Sequence, residues 1–267
     1  MRLTSWNLLH CLPTPLTKNS DSTQSLAEAI AALRCDVIGL QEMDFHLERS
    51  ERVNQVALIA EMMGTSFWAF APSVIGSPDE SWRPVKPTES RIVTAEITDA
   101  LAGYGIGLVS KIPVVTWHRL ELSAAPIGVL MSLHRDGERK RIYVPDHPRS
   151  ALAAVLENGW LIVNTHLSFV PGFNIFQLLK IKRWVRTLPV IDKSKVIIMG
   201  DLNLPFATLV RGINWNSIAR AWTYPSWNPK FQLDYILSQK IAVEDVLQIP
   251  PVQTGMSDHL PLSVDVY

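Results

Sequence analysis

Cysteine is scarce in this sequence of 267 residues, which contains only Cys11 and Cys35. Two cysteines are too few for a disulfide framework, and their separation does not match the spacing of a metal-binding motif. The sequence therefore argues against a small disulfide-stabilised protein and against a cysteine-ligated zinc site. We expect both thiols to be buried, although a single bridge between them is compatible with the sequence.

Long hydrophobic runs and an excess of charge of one sign are also missing. No apolar segment approaches the roughly 20 residues that a membrane-spanning helix needs, and the first residues lack the apolar stretch of a signal peptide. The 25 basic and 25 acidic side chains cancel, which disfavours a protein that binds nucleic acid non-specifically through a basic surface. We expect a cytoplasmic, monomeric protein without stable membrane insertion.

Hydrophobic residues make up 47% of the chain, which is ample for a large core. The length allows one or two domains, but no repeat and no linker-like segment divides the sequence. Strand patterns are connected both by hairpin signals and by helical crossovers, a mixture typical of α+β proteins with two packed sheets. We therefore predict a single α+β domain over residues 1–267.

Hydrophobic periodicity predicts the elements of this domain. Helical spacing indicates three helices, at 22–33, 52–63 and 173–188. Apolar or alternating runs indicate strands at 2–7, 36–41, 66–70, 106–110, 113–122, 127–133, 151–156, 160–164, 195–199, 233–238, 241–249 and 262–266. Prolines and glycines predict no regular structure for 72–89, charged residues predict a turn at 135–141, and 212–232 is an irregular, aromatic-rich segment.

The segment 195–205 combines a buried strand with a polar end. Gly200 is expected to end the strand, and Asp201 and Asn203 follow it two residues apart. Residues i and i+2 of an extended chain point to the same side, so both side chains could reach one ligand. The alternative is an Asp/Asn turn that only ends the strand.

Other apolar strands also deliver polar residues of the kinds that bind metals or catalyse reactions. These are Asn7, Glu42, His166, Asp258 and His259, while Asp234 lies inside a strand. A carboxylate in a strand core is costly unless it is paired, and a histidine is a suitable partner. Oxygen donors without thiolates favour Mg²⁺ or Mn²⁺ over zinc.

Seven short motifs together resemble the endonuclease/exonuclease/phosphatase family, which includes pancreatic deoxyribonuclease, abasic-site endonucleases and bacterial sphingomyelinases. They occur in the order found in that family, at 4–7, 36–42, 104–113, 164–167, 200–203, 233–236 and 257–259. The resemblance implies a deoxyribonuclease-like four-layer α/β/β/α sandwich with two central mixed, largely antiparallel sheets. It places the site at one end of the sheets.

The resemblance also implies a role for each matching polar residue. Glu42 is similar to the main metal carboxylate of the family, with Asn7 and Asp258 in or near the same ligand set. Asp201 resembles the residue that orients or deprotonates the attacking water, and Asn203 would hold the phosphate or a metal.

Histidines supply the remaining roles that the resemblance implies. His259 would contact the scissile phosphate and Asp234 would fix its ring, while His166 would stabilise charge or protonate the leaving group. Two features of some nuclease members are absent or unplaced. Leu9 stands where they carry an acidic residue, and a glutamate that supports the general-acid histidine cannot be assigned among Glu80, Glu89 and Glu96.

The function that this resemblance implies is a Mg²⁺- or Mn²⁺-dependent phosphodiesterase acting on a nucleic acid, a nucleotide or a phospholipid head group. We expect Trp222, Tyr224 and Trp227 to bind the substrate by stacking on a base or contacting a lipid; packing of these rings onto the sheet is the alternative. A phosphomonoesterase on a small sugar or inositol phosphate would need clustered cations, and its candidates are Lys111, Arg149 and Lys230. A catalytically silent binding module is the third possibility.

Overall fold

Two β-sheets pack face to face in the computed structural model, which describes residues 1–14, 22–135, 138–189, 192–205 and 214–267. The strands in chain order are β1 (Arg2–Asn7), β2 (Val37–Phe45), β3 (Phe67–Gly76), β4 (Trp82–Pro84), β5 (Val93–Thr94), β6 (Gly103–Ser110), β7 (Val114–Leu122), β8 (Val129–Arg135), β9 (Glu138–Val144), β10 (Arg149–Leu156), β11 (Leu161–His166), β12 (Val196–Asp201), β13 (Asn216–Ser217), β14 (Asp234–Ser238), β15 (Leu247–Ile249) and β16 (Leu262–Asp265). The helices are α1 (Ser22–Leu33), α2 (Gln55–Met63) and α3 (Phe173–Val185).

The strands form two large sheets and one separate hairpin. The first sheet has the order β15-β16-β1-β2-β6-β3-β4, with β5 paired to β3, and the second has the order β13-β14-β12-β11-β10-β7. Strands β8 and β9 pair only with each other. Within the sheets, β1/β2 and β11/β12 are parallel and the other described pairs are antiparallel. The predicted mixed, largely antiparallel sheets are therefore confirmed.

Three apolar clusters hold the layers together. Side chains from the inner faces of both sheets, including Leu3, Ile106, Leu152, Ile197 and Ile236, form the central cluster. Helices α1 and α2 cover the outer face of the first sheet, and α3 covers the second. The layer order is α/β/β/α, as the sequence predicts, because each helix has one apolar stripe and each sheet has two apolar faces.

The segment 72–89 contains two strands, so the prediction of no regular structure there was wrong. Strand β3 continues to Gly76 through a register shift between Pro72 and Val74, and Pro84 ends the edge strand β4. Proline lacks the N–H that a central ladder needs, but a register irregularity and a strand edge both tolerate it. Composition alone does not distinguish these positions from a loop.

Several element ends also differ from the predictions. The strand expected at 241–249 forms only at Leu247–Ile249, because Val243–Asp245 forms a 3-10 turn. Arg135 and Glu138–Val144 are strand residues, so the turn expected at 135–141 was wrong for them, and 136–137 lie outside the described residues. Helix α2 begins at Gln55 because the Asn54 side chain accepts a hydrogen bond from the N–H of Ala57 at 3.1 Å. None of the helices in these described ranges is long and apolar enough to cross a membrane.

Two irregular positions set the geometry of the polar strand ends. Strand β2 does not end before Glu42 but continues past it, with a register shift between Leu40 and Met43 and a φ of 57° at Glu42. Gly200 does not end β12 but lies within it, and a Cβ there would be 1.8 Å from the carbonyl oxygen of Thr165. Only glycine allows this close approach of β11 and β12.

Candidate active site

The predicted polar residues converge at one end of both sheets. His166 and Asp201 are opposite each other at the ends of the parallel strands β11 and β12. Asp234 is paired with Asp201 because β14 runs antiparallel to β12. Asn7 ends β1 in the other sheet, and the loop before β16 brings His259 to the same edge. Six of the eight predicted catalytic and metal residues line a cleft of about 500 Å³, namely Glu42, His166, Asp201, Asn203, Asp258 and His259. Asn7 and Asp234 do not line it but are hydrogen-bonded to Glu42 and His259, respectively.

The Asp201 carboxylate is the centre of this arrangement. The side-chain amide of Asn7 donates to Glu42 Oε1 at 2.9 Å and to Asp201 Oδ2 at 3.0 Å, so it bridges the two sheets. The imidazole Nε2 atoms of His166 and His259 lie 3.6 and 3.8 Å from the same oxygen. One buried carboxylate oxygen therefore faces an amide and two imidazole rings.

A hydrogen bond between His259 and Asp234 fixes one of these rings. His259 Nδ1 lies 2.8 Å from Asp234 Oδ2, and both side chains are buried. The backbone is held as well, because the Trp6 indole donates to the His259 carbonyl at 3.0 Å and Ser257 Oγ accepts from the His259 N–H. As a result, Nε2 of His259 points towards Asp201 and the cleft.

Asn203 lies beside His166 and is also hydrogen-bonded to Asp201. Its amide nitrogen is 3.3 Å from His166 Nε2 and donates to the carbonyl of Leu167 at 3.0 Å. The Asn203 N–H donates to Asp201 Oδ1 at 2.9 Å, with φ of 51° at Asn203. The segment after β12 is thus a turn and not extended, yet Asp201 and Asn203 still line one cleft, as the sequence predicts.

Burial and neighbouring charges shift the pKa values of these groups in different directions. Burial raises the pKa of Asp201 to about 7, an effect reduced by His259 and increased by Asp234. Burial lowers the pKa of His259, but Asp234 and Asp201 outweigh it and raise the value to about 10. Burial, together with Arg149, lowers the pKa of His166 well below its ordinary value. At neutral pH the site therefore holds a cationic His259 and a neutral His166.

The three aromatic residues predicted to bind substrate occupy different places. Tyr224 lines the cleft, and its ring centroid is 4.9 Å from that of His259. Trp222, 64% exposed, lines a separate cavity. Trp227 is 61% exposed and lines neither hollow. The structure therefore brings only Tyr224 to the catalytic residues.

Arg149, named from the sequence as a candidate phosphate-binding cation, lies on one wall of the cleft beside residues to which the sequence assigned no role. Arg149 is 3% exposed, its guanidinium lies 5.6 Å from the centroid of the Phe169 ring, and its Nε has no hydrogen-bond partner among the described residues. His147, Tyr104 and Trp82 line the same wall. Arg149 is the first residue of the apolar strand β10, which is antiparallel to β11, and this position brings the predicted cation to the cleft. Lys111 and Lys230 do not line the cleft.

A family comparison is consistent with this geometry. The family model described as "Endonuclease/Exonuclease/phosphatase family" matches residues 4–259. The chain belongs to this family. Its members are typically metal-dependent phosphoester hydrolases. Among curated protein sequences, none matches the chain significantly.

Solved structures of endonuclease/exonuclease/phosphatase proteins have the same fold. The protein of this family from Bacteroides vulgatus is 15% identical and has a TM-score of 0.59, with 100% of this chain and 98% of that chain covered. The family protein from Beutenbergia cavernae is 17% identical, with a TM-score of 0.56 and coverage of 98% and 70%. A beta toxin variant from Staphylococcus aureus with bound magnesium ions is 14% identical, with a TM-score of 0.57 and coverage of 100% and 99%.

The carboxylates of the cleft fit a divalent cation. Glu42 accepts one described hydrogen bond, from Asn7, and burial and Asp258 both raise its pKa. Neither Glu42 nor Asp258 forms an ion pair with a described lysine or arginine, although both line the cleft. Neighbouring carboxylates without a cationic partner are a suitable oxygen-ligand set for Mg²⁺. Asp201, Asp234 and His259 form a second group whose ligand atoms lie within 4.8 Å of one another, and within it His259 Nδ1 and Asp234 Oδ2 are hydrogen-bonded to each other.

Proposed function

We propose that this protein is a Mg²⁺- or Mn²⁺-dependent phosphodiesterase that hydrolyses a phosphoester in a nucleic acid, a nucleotide or a phospholipid head group. The observation that carries the proposal is the pair of imidazoles within 4 Å of Asp201 Oδ2, with Asp234 bonded to one of them. A buried carboxylate close to two imidazoles can accept a proton from water while a cation faces the phosphate. The monomeric state and the cytoplasmic location stay predictions.

Asp201 and His259 divide the attack on phosphorus between them in this proposal. Burial brings the pKa of Asp201 to about 7, so near neutral pH its carboxylate accepts the proton of a water molecule and orients that water for in-line attack. His259, a cation below its pKa of about 10, contacts the phosphate and stabilises the charge that develops on its oxygens. Asp234 keeps the ring protonated and oriented.

His166, Asn203 and Arg149 complete the phosphate environment. His166 is neutral because burial lowers its pKa, and its imidazole would form a hydrogen bond with the leaving-group oxygen. The Asn203 amide lies beside His166 and holds a phosphate oxygen. Arg149 has guanidinium donors on the cleft wall, and such a buried cation suits a further anionic oxygen.

Glu42, Asp258 and the Asn7 side-chain oxygen would hold the metal ion. When bound, Mg²⁺ supplies Lewis acidity at the phosphate oxygens and offsets their negative charge. The neighbouring Asn7 amide keeps Glu42 and Asp201 apart by donating to both. It thereby separates the metal carboxylate from the carboxylate that accepts the proton.

A phosphomonoesterase is the second candidate, and Arg149 is the observation that favours it. Its Nε is buried without a partner and its only described acidic contact, Asp146, lies at 3.5 Å. A dianionic terminal phosphate would use these donors. A catalytically silent module is disfavoured because Glu42, Asp201 and His259 are all present and close together.

A pair of chromogenic substrates tests the proposal directly. The purified protein with Mg²⁺ or Mn²⁺ should hydrolyse bis-p-nitrophenyl phosphate faster than p-nitrophenyl phosphate, and EDTA should abolish the activity. His259→Ala should lower kcat by at least about a hundredfold, since it removes the cation that stabilises developing charge. Plasmid DNA, RNA and sphingomyelin in the same assay distinguish a nucleic-acid substrate from a phospholipid substrate.

The controls separate chemistry from folding. Asp192→Asn, at an exposed aspartate that does not line the cleft and whose described side-chain hydrogen bonds come from Ser194, should retain the activity of the parent protein. A preference for the monoester would favour the phosphomonoesterase. No hydrolysis of any substrate, with the His259→Ala variant indistinguishable from the parent, would support the silent module and overturn the proposal.

A further inference from the structure

A second cavity lies next to the catalytic cleft. It has a volume of about 640 Å³, within the range of small-molecule sites, and is lined by Asn216, Ser217, Arg220, Ala221, Trp222, Gln232, Ala242, Val243 and Glu244. None of these residues lines the catalytic cleft. The cavity therefore has no part in the proposed hydrolysis itself.

One backbone ladder separates this cavity from the cleft. The N–H groups of Thr223 and Tyr224 donate to the carbonyl of Phe231 at 2.8 and 3.0 Å. On one side of the ladder, Tyr224 and Leu233 line the cleft; on the other side, Trp222 and Gln232 line the cavity. Trp222 and Tyr224 are two residues apart, which places their backbones within about 7 Å of each other.

The cavity offers an aromatic face and a cation. The Trp222 side chain is 64% exposed although it borders a concave surface. Arg220 is exposed and forms no ion pair with any residue in the described part of the chain. The polar wall also contains Glu244 and Gln232, and the Gln232 amide already donates to the carbonyls of Ala219 and Asp234.

We propose that this cavity is a subsite for one nucleotide of a single-stranded nucleic acid, adjacent to the nucleotide whose phosphoester is cleaved. The base would stack on Trp222, because every base presents a π-face to an aromatic ring, and the phosphate would contact Arg220. This inference rests on the proposed function and narrows its substrate to a single strand. A base inside a duplex is already stacked and paired, so it is not available to the indole.

The shape and polarity of the cavity favour this occupant over a lipid. A membrane-binding tryptophan needs an apolar body set in an interface, whereas the cavity lined by Trp222 has more polar than apolar residues in its wall, including Arg220, Gln232, Asn216 and Glu244 beside Ala221, Ala242 and Val243. Phe231, 45% exposed, lines neither hollow and belongs to the backbone ladder that separates them, since its carbonyl accepts from Thr223 and Tyr224. A single strand can therefore run from Tyr224 over Phe231 to Trp222 and meet an aromatic ring in each hollow.

The test compares substrates of different length. Values of kcat/KM are measured with Mg²⁺ for bis-p-nitrophenyl phosphate, a dinucleotide and a single-stranded hexanucleotide, using the parent protein, Trp222→Ala and Trp222→Phe. Trp222→Ala should reduce kcat/KM for the hexanucleotide tenfold to a hundredfold more than for bis-p-nitrophenyl phosphate, roughly the effect of losing one base–aromatic stack. Trp222→Phe should recover most of this loss. Phe176→Ala, an exposed aromatic on α3, is the control and should match the parent on all substrates.

A binding measurement separates this inference from the proposed function. Anisotropy of a fluorescein-labelled hexanucleotide in EDTA should show weaker binding to Trp222→Ala than to the parent, and Arg220→Gln should reduce the salt dependence by about one counterion. If the parent protein hydrolyses bis-p-nitrophenyl phosphate but Trp222→Ala loses the same factor of kcat/KM on every substrate, the subsite is overturned. The proposed phosphodiesterase activity is then still supported. If no diester is hydrolysed, binding of the oligonucleotide that is weakened by Trp222→Ala still supports the subsite. Binding that is unchanged by Trp222→Ala, or no binding, overturns the subsite. Trp222-dependent binding to phosphatidylcholine vesicles and not to the oligonucleotide would also overturn it.

Discussion

Burial by itself would keep the His259 ring neutral, yet the carboxylates of Asp234 and Asp201 reverse this effect. The cost of burying a cation is offset only where a carboxylate is in direct contact. Asp234 provides that contact at 2.8 Å, while its other oxygen, Oδ1, has no described partner. The charge of His259 therefore depends most on Asp234, with a further contribution from Asp201.

We predict that Asp234→Asn lowers kcat by about a hundredfold to ten-thousandfold, the range found when an orienting carboxylate of a catalytic histidine becomes an amide. Removing the negative charge also lowers the pKa of His259 from about 10. Since the protonated ring is the active form, activity should be lost at lower pH than in the parent enzyme. A pH–rate profile measures this shift of the alkaline limb. An unchanged limb would contradict the proposed role of His259.

Burial of His147 is expected to make the free energy of unfolding depend on pH in the acid range. Burial, with Arg149 nearby, lowers the pKa of His147 to about 3, against an ordinary value of 6.5. Between those values the unfolded chain binds a proton that the folded chain excludes, so the free energy of unfolding falls as pH decreases from about 6.5 towards 3. The slope contributed is at most about 1.4 kcal/mol per pH unit. His147→Phe should make the slope of urea-derived stability against pH shallower below pH 6.5, and a constant offset in stability does not affect that slope.

At the scale of the element, β12 depends on the absence of one side chain. A Cβ at Gly200 would lie 1.8 Å from the Thr165 carbonyl oxygen, so β11 and β12 would have to separate. We predict that Gly200→Ala destabilises the protein by at least about 3 kcal/mol and reduces activity beyond the loss of folded protein. The activity of the folded fraction is the informative quantity, because displacement of β12 also moves Asp201.

A second glycine provides the control for that substitution. Gly64 ends α2 with φ of 70°, and a Cβ there would have no heavy atom within 4 Å. Gly64→Ala should therefore cost only about 1 kcal/mol, the strain of a left-handed alanine, without loss of specific activity. Equal costs for the two substitutions, measured by urea unfolding, would contradict the argument from close approach.

The sequence predicted those helices and strands that can be recognised from the pattern of apolar and polar residues within a short stretch of the chain. The helices near α1, α2 and α3 and the strand end at Asn7 were found because apolar periodicity and a following polar residue are both local. The strands expected to end at residues 164 and 199 continue to His166 and Asp201. The strand position of Gly200 and the irregularity at Glu42 were not found, since each depends on the neighbouring strand. The separation of Trp222 from Tyr224 likewise follows from a ladder with Phe231, which the sequence of either segment does not specify.

For the whole molecule, a buried polar contact joins the two sheets. Asn164 on β11 donates to the carbonyls of Leu40 and Gly107 at 2.9 and 2.7 Å and accepts from Gln41 at 2.6 Å. We predict that Asn164→Ala destabilises the protein by about 3 kcal/mol or more, because three buried groups lose a partner. Asn158→Ala, at an exposed hairpin position, should cost less than about 1 kcal/mol. Urea unfolding measures both, and similar costs would show that the contact does not hold the sheets together.

The order of the strands has a consequence for synthesis. β1 lies between β2 and β16, and Asp258 and His259 immediately precede β16. While residues beyond 257 are still untranslated, β1 has an unpaired edge and the proposed catalytic centre lacks a carboxylate and its cationic histidine. We therefore expect a growing chain to have no hydrolytic activity, however much of the second sheet has already folded. This order of assembly delays the proposed phosphoester cleavage until residues 258–266 have been synthesised and β16 has paired with β1.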